Sequence, residues 1–269
     1  MSKKIIVLGS SGMLGQAVMR YFSPDNDVVK FDKRYCIYNR DDFISKLKSL
    51  RPDAVINCIG KIKQKSSQLE DLFTSNTFLP LDLNASLCDP IIIHPSTDCV
   101  FSGDDNDPYN VFDVPNAKDD YGLSKLYGEF SGRMRESTFV LRTSIIGLTK
   151  NYESEGLLDW LMRQSDGSSI AGYTNHLWNG ITTLEWCKLA EQIISGTPPE
   201  KRDGIIQVGS SNTVSKYELL VCANKVFGCN IKIEPIKTQN DVARVLKPEL
   251  KLPNIQEQLS EYWQWIGSQ

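Results

Sequence analysis

Along about the first 150 residues, short apolar runs rich in β-branched side chains alternate with longer stretches whose apolar positions recur at helical spacing. The runs at 4–8, 27–31, 54–58, 90–94 and 139–141 predict strands. The patterns between them predict helices over 12–21, 41–50, 68–87 and 121–135, with Arg51-Pro52-Asp53 marking the turn into the third strand. This alternation predicts an α/β fold, a doubly wound parallel sheet with helices on both faces.

After Gly147 the rhythm changes. A polar stretch at 149–155 leads into an amphipathic piece at 156–164, Gly/Ser-rich turns and a helix predicted over 183–195. A late apolar run at 204–209 precedes Ser215-Lys216-Tyr217-Glu218, which has the form of a helix N-cap with its capping-box Glu. That run is expected to return to the sheet. The organisation is then a sheet domain of 1–148 plus about 204–214, and a smaller, discontinuous C-terminal substrate lobe of about 149–203 and 215–269. The stretch 102–118 carries spaced acids without the twelve-residue calcium pattern and its closing Glu, and it reads as a solvated flexible loop. Tyr262-Trp263-Gln264-Trp265-Ile266 reads as a closing helix, and its aromatics leave a homodimer contact open.

The 269 residues are 41% hydrophobic, with 30 Lys+Arg against 33 Asp+Glu and a formal charge of -3. This composition excludes disorder, collagen and coiled coil. Basic residues come in short runs such as Lys61, Lys63 and Lys65, not in the stripe that a phosphate backbone selects, so no nucleic acid is expected. Apolar runs fall far below the roughly 20 residues of a bilayer span, and the N-terminus lacks a signal-peptide h-region. A cytoplasmic protein without a membrane partner is expected. Seven Cys without a Cys-x-x-Cys, and two His, indicate neither a disulfide framework nor a metal site. The thiols read as reduced and packed in the core.

Candidate chemistry begins at Gly9-Ser10-Ser11-Gly12-Met13-Leu14-Gly15, between the first strand and the first helix. In a Rossmann-type fold, backbone N–H groups and the helix dipole there face a dinucleotide pyrophosphate. The second strand ends in Phe31-Asp32-Lys33-Arg34. Asp32 would accept from an adenosine 2′-OH and favour NADH, whereas Lys33 and Arg34 would pair with a 2′-phosphate and favour NADPH. Tyr121-Gly122-Leu123-Ser124-Lys125 puts a phenol and an ammonium at i and i+4, on one helix face, and the cation is expected to lower the phenol pKa. Ser96-Thr97 follows the fourth strand directly, so its hydroxyls emerge at the carboxyl end, where open α/β sheets bind ligands.

With these pieces in hand, the chain resembles the extended short-chain dehydrogenase/reductases, and among them the dTDP-4-dehydrorhamnose reductase type. The resemblance rests on the glycine loop, Arg51-Pro52-Asp53-Ala54-Val55-Ile56-Asn57, Ser96-Thr97-Asp98-Cys99-Val100-Phe101, Tyr121-Gly122-Leu123-Ser124-Lys125-Leu126-Tyr127-Gly128-Glu129 and Leu141-Arg142-Thr143-Ser144. Beyond about residue 150 it thins to Asn179-Gly180-Ile181-Thr182-Thr183 and Val208-Gly209-Ser210.

The resemblance implies NADPH- or NADH-dependent reduction of a nucleoside-diphosphate keto sugar, of the 4-keto-6-deoxyhexose type, for a surface polysaccharide. It implies that Tyr121 protonates the nascent alkoxide, that Lys125 holds the nicotinamide ribose and tunes Tyr121, and that Thr97 hydrogen-bonds the carbonyl. Cys58, Ile59 and Gly60 would line the cofactor, Cys36 and Ile37 would lie near the adenine, and Asn76 would support the site from beneath. Asp98, Cys99 and Ile145 would meet the sugar. The family pattern has Tyr where this chain has Cys99 and Trp where it has Ile145. Dehydratases of the same superfamily carry Glu after the Asp, so Cys99 disfavours water elimination. Lys61 and Lys63 replace neutral residues and could meet a pyrophosphate or an acidic sugar. Epimerase chemistry, or a non-catalytic regulatory subunit that binds a dinucleotide or sugar nucleotide, are the competing readings. His94 reads as a packed strand histidine. His176 and Trp178 could reach the substrate, and Arg142 could meet either a phosphate or a buried carboxylate.

Overall fold

The apolar runs of the first half form β1 (Lys4–Leu8), β2 (Asp27–Phe31), β3 (Ala54–Asn57), β4 (Ile91–Pro95) and β5 (Thr138–Arg142). The computed structural model describes residues 2–62, 68–105, 107–250 and 252–268. Between the strands run α1 (Met13–Phe22), α2 (Arg40–Ser49), α3 (Leu69–Phe73), α4 (Leu79–Ser86), α5 (Asp120–Glu129) and α6 (Ser131–Met134). The second half supplies β6 (Ile145–Ile146), α7 (Leu157–Met162), β7 (Ser169–Tyr173), β8 (His176–Trp178), β9 (Ile181–Thr182), α8 (Thr183–Ile194) and β10 (Ile205–Gln207). It closes with β11 (Val214–Ser215), α9 (Lys216–Val226), β12 (Lys232–Ile236), β13 (Val242–Arg244) and α10 (Ile255–Gly267).

The late apolar run does return to the sheet. β10 pairs in parallel with β5, and the six-stranded order is β10-β5-β4-β3-β1-β2. Alternation along the strands then builds two cores. Ile5, Val7, Ile56 and Ile93 face α1 and α8, packing against Leu14, Val18, Trp186, Leu189 and Ile193. Ile6, Leu8, Val55 and Ile92 face α2 and α4, packing against Phe43, Leu47, Leu79 and Leu83.

Helix α8 lies within the 149–203 stretch assigned above to the lobe, yet its apolar face is part of the sheet core. Its hydrophobic spacing predicted a helix but held no information about which core it joins. The lobe has its own core, in which Leu158, Trp178, Leu219, Phe227, Leu259 and Tyr262 meet. Around it, β8 pairs with β11 and β13, and β7 pairs in parallel with β12.

Three expectations need correction. The helix predicted over 68–87 is interrupted by a π turn at Thr74–Phe78, and the one over 121–135 breaks between α5 and α6. The 102–118 loop is solvated only in part: Asp104, Asp105, Phe112 and Val114 are exposed, whereas Ser102, Gly103 and Val111 are buried. Tyr109 is 3% exposed, stacks on Phe101 at 4.2 Å between ring centroids, and its main chain bonds to Val245 and Lys247. Buried Gln207 donates to the Tyr109 carbonyl at 2.8 Å, so the loop finds partners the local sequence could not indicate. The cysteines are free thiols, but only Cys187 is fully buried and Cys88 is exposed.

The C-terminal aromatics close the molecule as α10. Tyr262 is 1% exposed, and its hydroxyl oxygen accepts from the Leu148 N–H at 2.7 Å. Among the described residues no helix is long and apolar enough to cross a membrane.

Candidate active site

The glycine loop is built around contacts that exclude side chains. Gly9 has φ 72°, and a Cβ there would lie 2.9 Å from the Ile59 nitrogen. At Gly15 a Cβ would lie 2.1 Å from the Gly9 carbonyl oxygen. Gly12 differs, because its nearest neighbour would be the same oxygen at an ordinary 3.6 Å. Gly12 is the N-cap of α1 and offers no side chain to the first-turn N–H groups, and that turn has no acidic residue. The fold needs Gly9 and Gly15 for itself, whereas at Gly12 it leaves room and free donors for an anion.

Strand β4 ends at Pro95, and Ser96 and Thr97 lead into a short 3₁₀ turn at Asp98–Val100. Thr97 Oγ1 caps that turn, accepting from Cys99 N at 3.2 Å, and it donates to Asp98 Oδ1 at 3.1 Å. Helix α5 is capped by Asp119, which accepts from Gly122 N at 2.8 Å, and this presents Tyr121 and Lys125 to the same place. Tyr121 and Thr97 line the same cleft. A cleft of about 540 Å³ joins Gly12, Met13, Leu14, Cys58, Ile59 and Gly60 to Thr97, Asp98, Cys99, Tyr121, Lys125 and Ile145. Thr97, Tyr121 and Lys125, distant along the chain, do converge there.

The electrostatics correct one expectation. Burial holds the Tyr121 phenol above its ordinary pKa, where the helical spacing to Lys125 suggests a lowering. Lys125 is directed elsewhere. Its Nζ donates instead to the Pro95 carbonyl at 3.0 Å, and burial brings its pKa down to about 8. Tyr121 is therefore a protonated donor at neutral pH. Burial, then Asp98, pushes the Cys99 thiol up to about 12, so it stays neutral.

The floor of the cleft is held by buried amides. Asn57 Nδ2 donates to His94 Nδ1 at 3.0 Å, while its Oδ1 accepts from Ile59 N at 3.1 Å. His94 is 1% exposed and burial lowers its pKa, so it is a packed, neutral histidine. Asn76, in the π turn, accepts from Lys61 N at 3.0 Å and donates to Lys61 O at 2.9 Å and Ser124 Oγ at 3.0 Å. Its amide ties the cofactor-side loop to α5.

Other residues fall away from the cleft. Asp32 is exposed and pairs with Lys30 at 3.5 Å, and Lys33 pairs with Asp42. Cys36 and Ile37 sit beyond β2, and neither they nor Ser11 line the cleft. Lys61 does line it and pairs with Asp71 at 3.6 Å, while Lys63 and Lys65 lie outside the described residues. Trp178 is 2% exposed inside the lobe core and does not line the cleft. His176 Nε2 bonds to Thr238 Oγ1 at 2.9 Å. Arg142 takes the buried-carboxylate alternative, with Nη2 2.6 Å from Glu129 Oε2.

Sequence reasoning missed two cations. Arg244, from β13, lines the cleft and donates to the Phe101 carbonyl at 3.2 Å. Lys216, the first residue of α9, lies 4.9 Å over the Trp178 ring, and burial lowers its pKa against the pull of Asp98 and Cys99. The Ser215 cap located the start of α9, but no signal told which way Lys216 faces.

A mostly parallel sheet in this order with helices on both faces, and a glycine loop opening α1, define a Rossmann-type α/β fold. Within that class the chain belongs to the RmlD substrate binding domain family, whose model matches residues 3–250. It is 30% identical over 254 residues to methionine adenosyltransferase 2 subunit beta of Danio rerio, covering 82% of this chain and 72% of that one. It is also 30% identical over 219 residues to the probable low-salt glycan biosynthesis reductase Agl14 of Haloferax volcanii, covering 71% and 72%. Among solved structures, dTDP-4-dehydrorhamnose reductase of Bacillus anthracis in complex with NADP superposes with a TM-score of 0.84 at 18% identity, over 98% of this chain and 99% of that chain.

Proposed function

We propose that this protein is a reductase that uses NADPH or NADH to reduce the keto group of a nucleoside-diphosphate sugar. The observation that carries the reading is the convergence of Thr97, Tyr121 and Lys125 in one cleft with the uncapped start of α1. When bound, the reduced dinucleotide supplies a hydride to the keto carbon. Met13, Leu14 and Gly15 offer main-chain donors to its diphosphate, which the missing Gly12 side chain lets approach. Asp32 and exposed Arg34, just after β2, would meet the adenosine ribose, whereas Lys33 is committed to Asp42.

Tyr121 gives its proton to the keto oxygen as negative charge develops there. Thr97 hydrogen-bonds the same oxygen, and Lys125, fixed by Pro95, holds the nicotinamide ribose hydroxyls. The sugar rests on Asp98, Cys99 and Ile145, with the lobe closing over it. A 4-keto-6-deoxyhexose destined for a glycan fits this chemistry.

The test is oxidation of NADPH or NADH by a panel of nucleotide keto sugars, with Tyr121→Phe as the control. Turnover that falls by about 10²–10⁴ with dinucleotide affinity retained supports the reading. Unchanged turnover in that variant removes it. A second reading, a non-catalytic dinucleotide-binding subunit, is favoured by the subunit name of the Danio rerio relative. Tight dinucleotide binding without turnover of any keto sugar would select it.

A further inference from the structure

A second cavity is larger than the reaction cleft. About 930 Å³ lies between α1, the 148–152 segment and α10, with Ser10 of the glycine loop at its edge, and it shares no lining residue with the cleft. Its volume is within the roughly 300–1,000 Å³ of small-molecule sites.

Tyr152, Tyr262, Trp265 and Ile266 give the walls an aromatic and apolar part, and two cations, Arg20 and Lys150, also line the cavity. The Arg20 guanidinium lies 4.7 Å over the Trp265 ring, and Nη2 donates to the Trp265 carbonyl. That contact holds the arginine over the indole without neutralising it. Lys150 is exposed, and its placement is fixed through the main chain, whose N–H donates to Gln16 Oε1 at 2.8 Å. Among the described residues neither cation forms an ion pair, and no carboxylate lines the cavity. Cations held on an aromatic wall without a counter-charge favour an anion whose body can stack.

We propose that this cavity is a second binding site, for a small aromatic anion, separate from the dinucleotide and sugar positions. Gln16 forms the partition. Its Nε2 donates to the Ser11 carbonyl at 2.7 Å, so the same side chain touches the glycine loop and the cavity rim.

The probe is anilinonaphthalene sulfonate, a stacking anion, with neutral N-phenylnaphthylamine as its uncharged counterpart. Binding to the intact chain is followed by probe emission on tryptophan excitation, in the presence of saturating NADP. The expected result is sulfonate binding that persists with NADP. It should be weakened about fivefold by Arg20→Gln and about threefold by Lys150→Gln, with the neutral probe unaffected by either. Lys150→Gln keeps the main-chain bond and leaves the fold intact, so it decides the matter even where Arg20→Gln loosens α10. Sulfonate affinity unchanged in Lys150→Gln, or displaced by NADP, or matched by the neutral probe, overturns the proposal. These readouts use no turnover, so they stand apart from the reductase assay.

Discussion

Lys125 Nζ donates to the Pro95 carbonyl at 3.0 Å, a bond from the middle of α5 to the last residue of β4. It holds an ammonium in a buried site, and burial lowers its pKa from 10.5 to about 8 against the opposing pulls of Glu129 and Cys58. The unfolded chain then binds this proton more tightly than the folded one. Stability contributed by this residue therefore rises with pH between the folded and unfolded values, by at most on the order of 3 kcal/mol. Urea unfolding at pH 7 and again near pH 10 should show the wild type gaining on Lys125→Met. Parallel changes in the two proteins would mean that the lysine is not strained.

Gly12 and Gly15 should separate ligand from fold. A methyl at Gly15 meets backbone at 2.1 Å, whereas at Gly12 the nearest atom is 3.6 Å away. Gly15→Ala is expected to lower the melting temperature or abolish folding. Gly12→Ala should still fold, melting only a few degrees below the wild type because Ala is the poorer N-cap by about 1 kcal/mol, yet bind NADPH about tenfold more weakly or worse. Calorimetry on both variants tests this, and normal NADPH affinity in folded Gly12→Ala would show that no ligand approaches there.

Asn76 is fully buried, and its amide bonds to both main-chain groups of Lys61 and to Ser124. Asn76→Ala leaves those groups unpaired and should cost about 1–3 kcal/mol in denaturant unfolding. The same change frees the Gly60–Lys61 wall of the cleft, so dinucleotide affinity should fall with it. A stability loss without any loss of affinity would confine Asn76 to a structural role.

The sheet was legible in the sequence because each strand is a compact apolar run between turn residues, as in Ile5-Ile6-Val7-Leu8 and Ile91-Ile92-Ile93. The glycine loop and the Tyr121–Lys125 spacing were legible because each is local. What stayed hidden depends on distant partners. Tyr109 is buried by Phe101, Gln207 and the 245–247 strand edge, so its loop looked solvated. The π turn that delivers Asn76 has no residue signature, since it differs from an α turn only in which carbonyl each N–H finds. The sign of the Tyr121 shift followed from burial, which spacing along a helix does not report.

Beneath the site, Glu129 and Arg142 form a pair only 4% and 2% exposed, with Nε to Oε1 at 2.8 Å and Nη2 to Oε2 at 2.6 Å. Ser96 Oγ adds a third bond to Oε1 at 2.6 Å, and Arg142 Nη1 donates to Gln207 at 3.1 Å. Removing one charge leaves the other buried and unpaired, so Glu129→Gln should cost about 3–5 kcal/mol, while Glu129→Leu with Arg142→Met should cost much less than the sum of the single changes. Glu129 is also the strongest upward influence on Lys125. Its loss should therefore carry the lysine below its present value of about 8, so that the pH-dependent gain in stability begins at lower pH in Glu129→Gln than in the wild type. A pH series of unfolding curves on the two proteins reads both effects. Coincident onsets would show that the carboxylate is fully neutralised by Arg142 and exerts no field on the site above it.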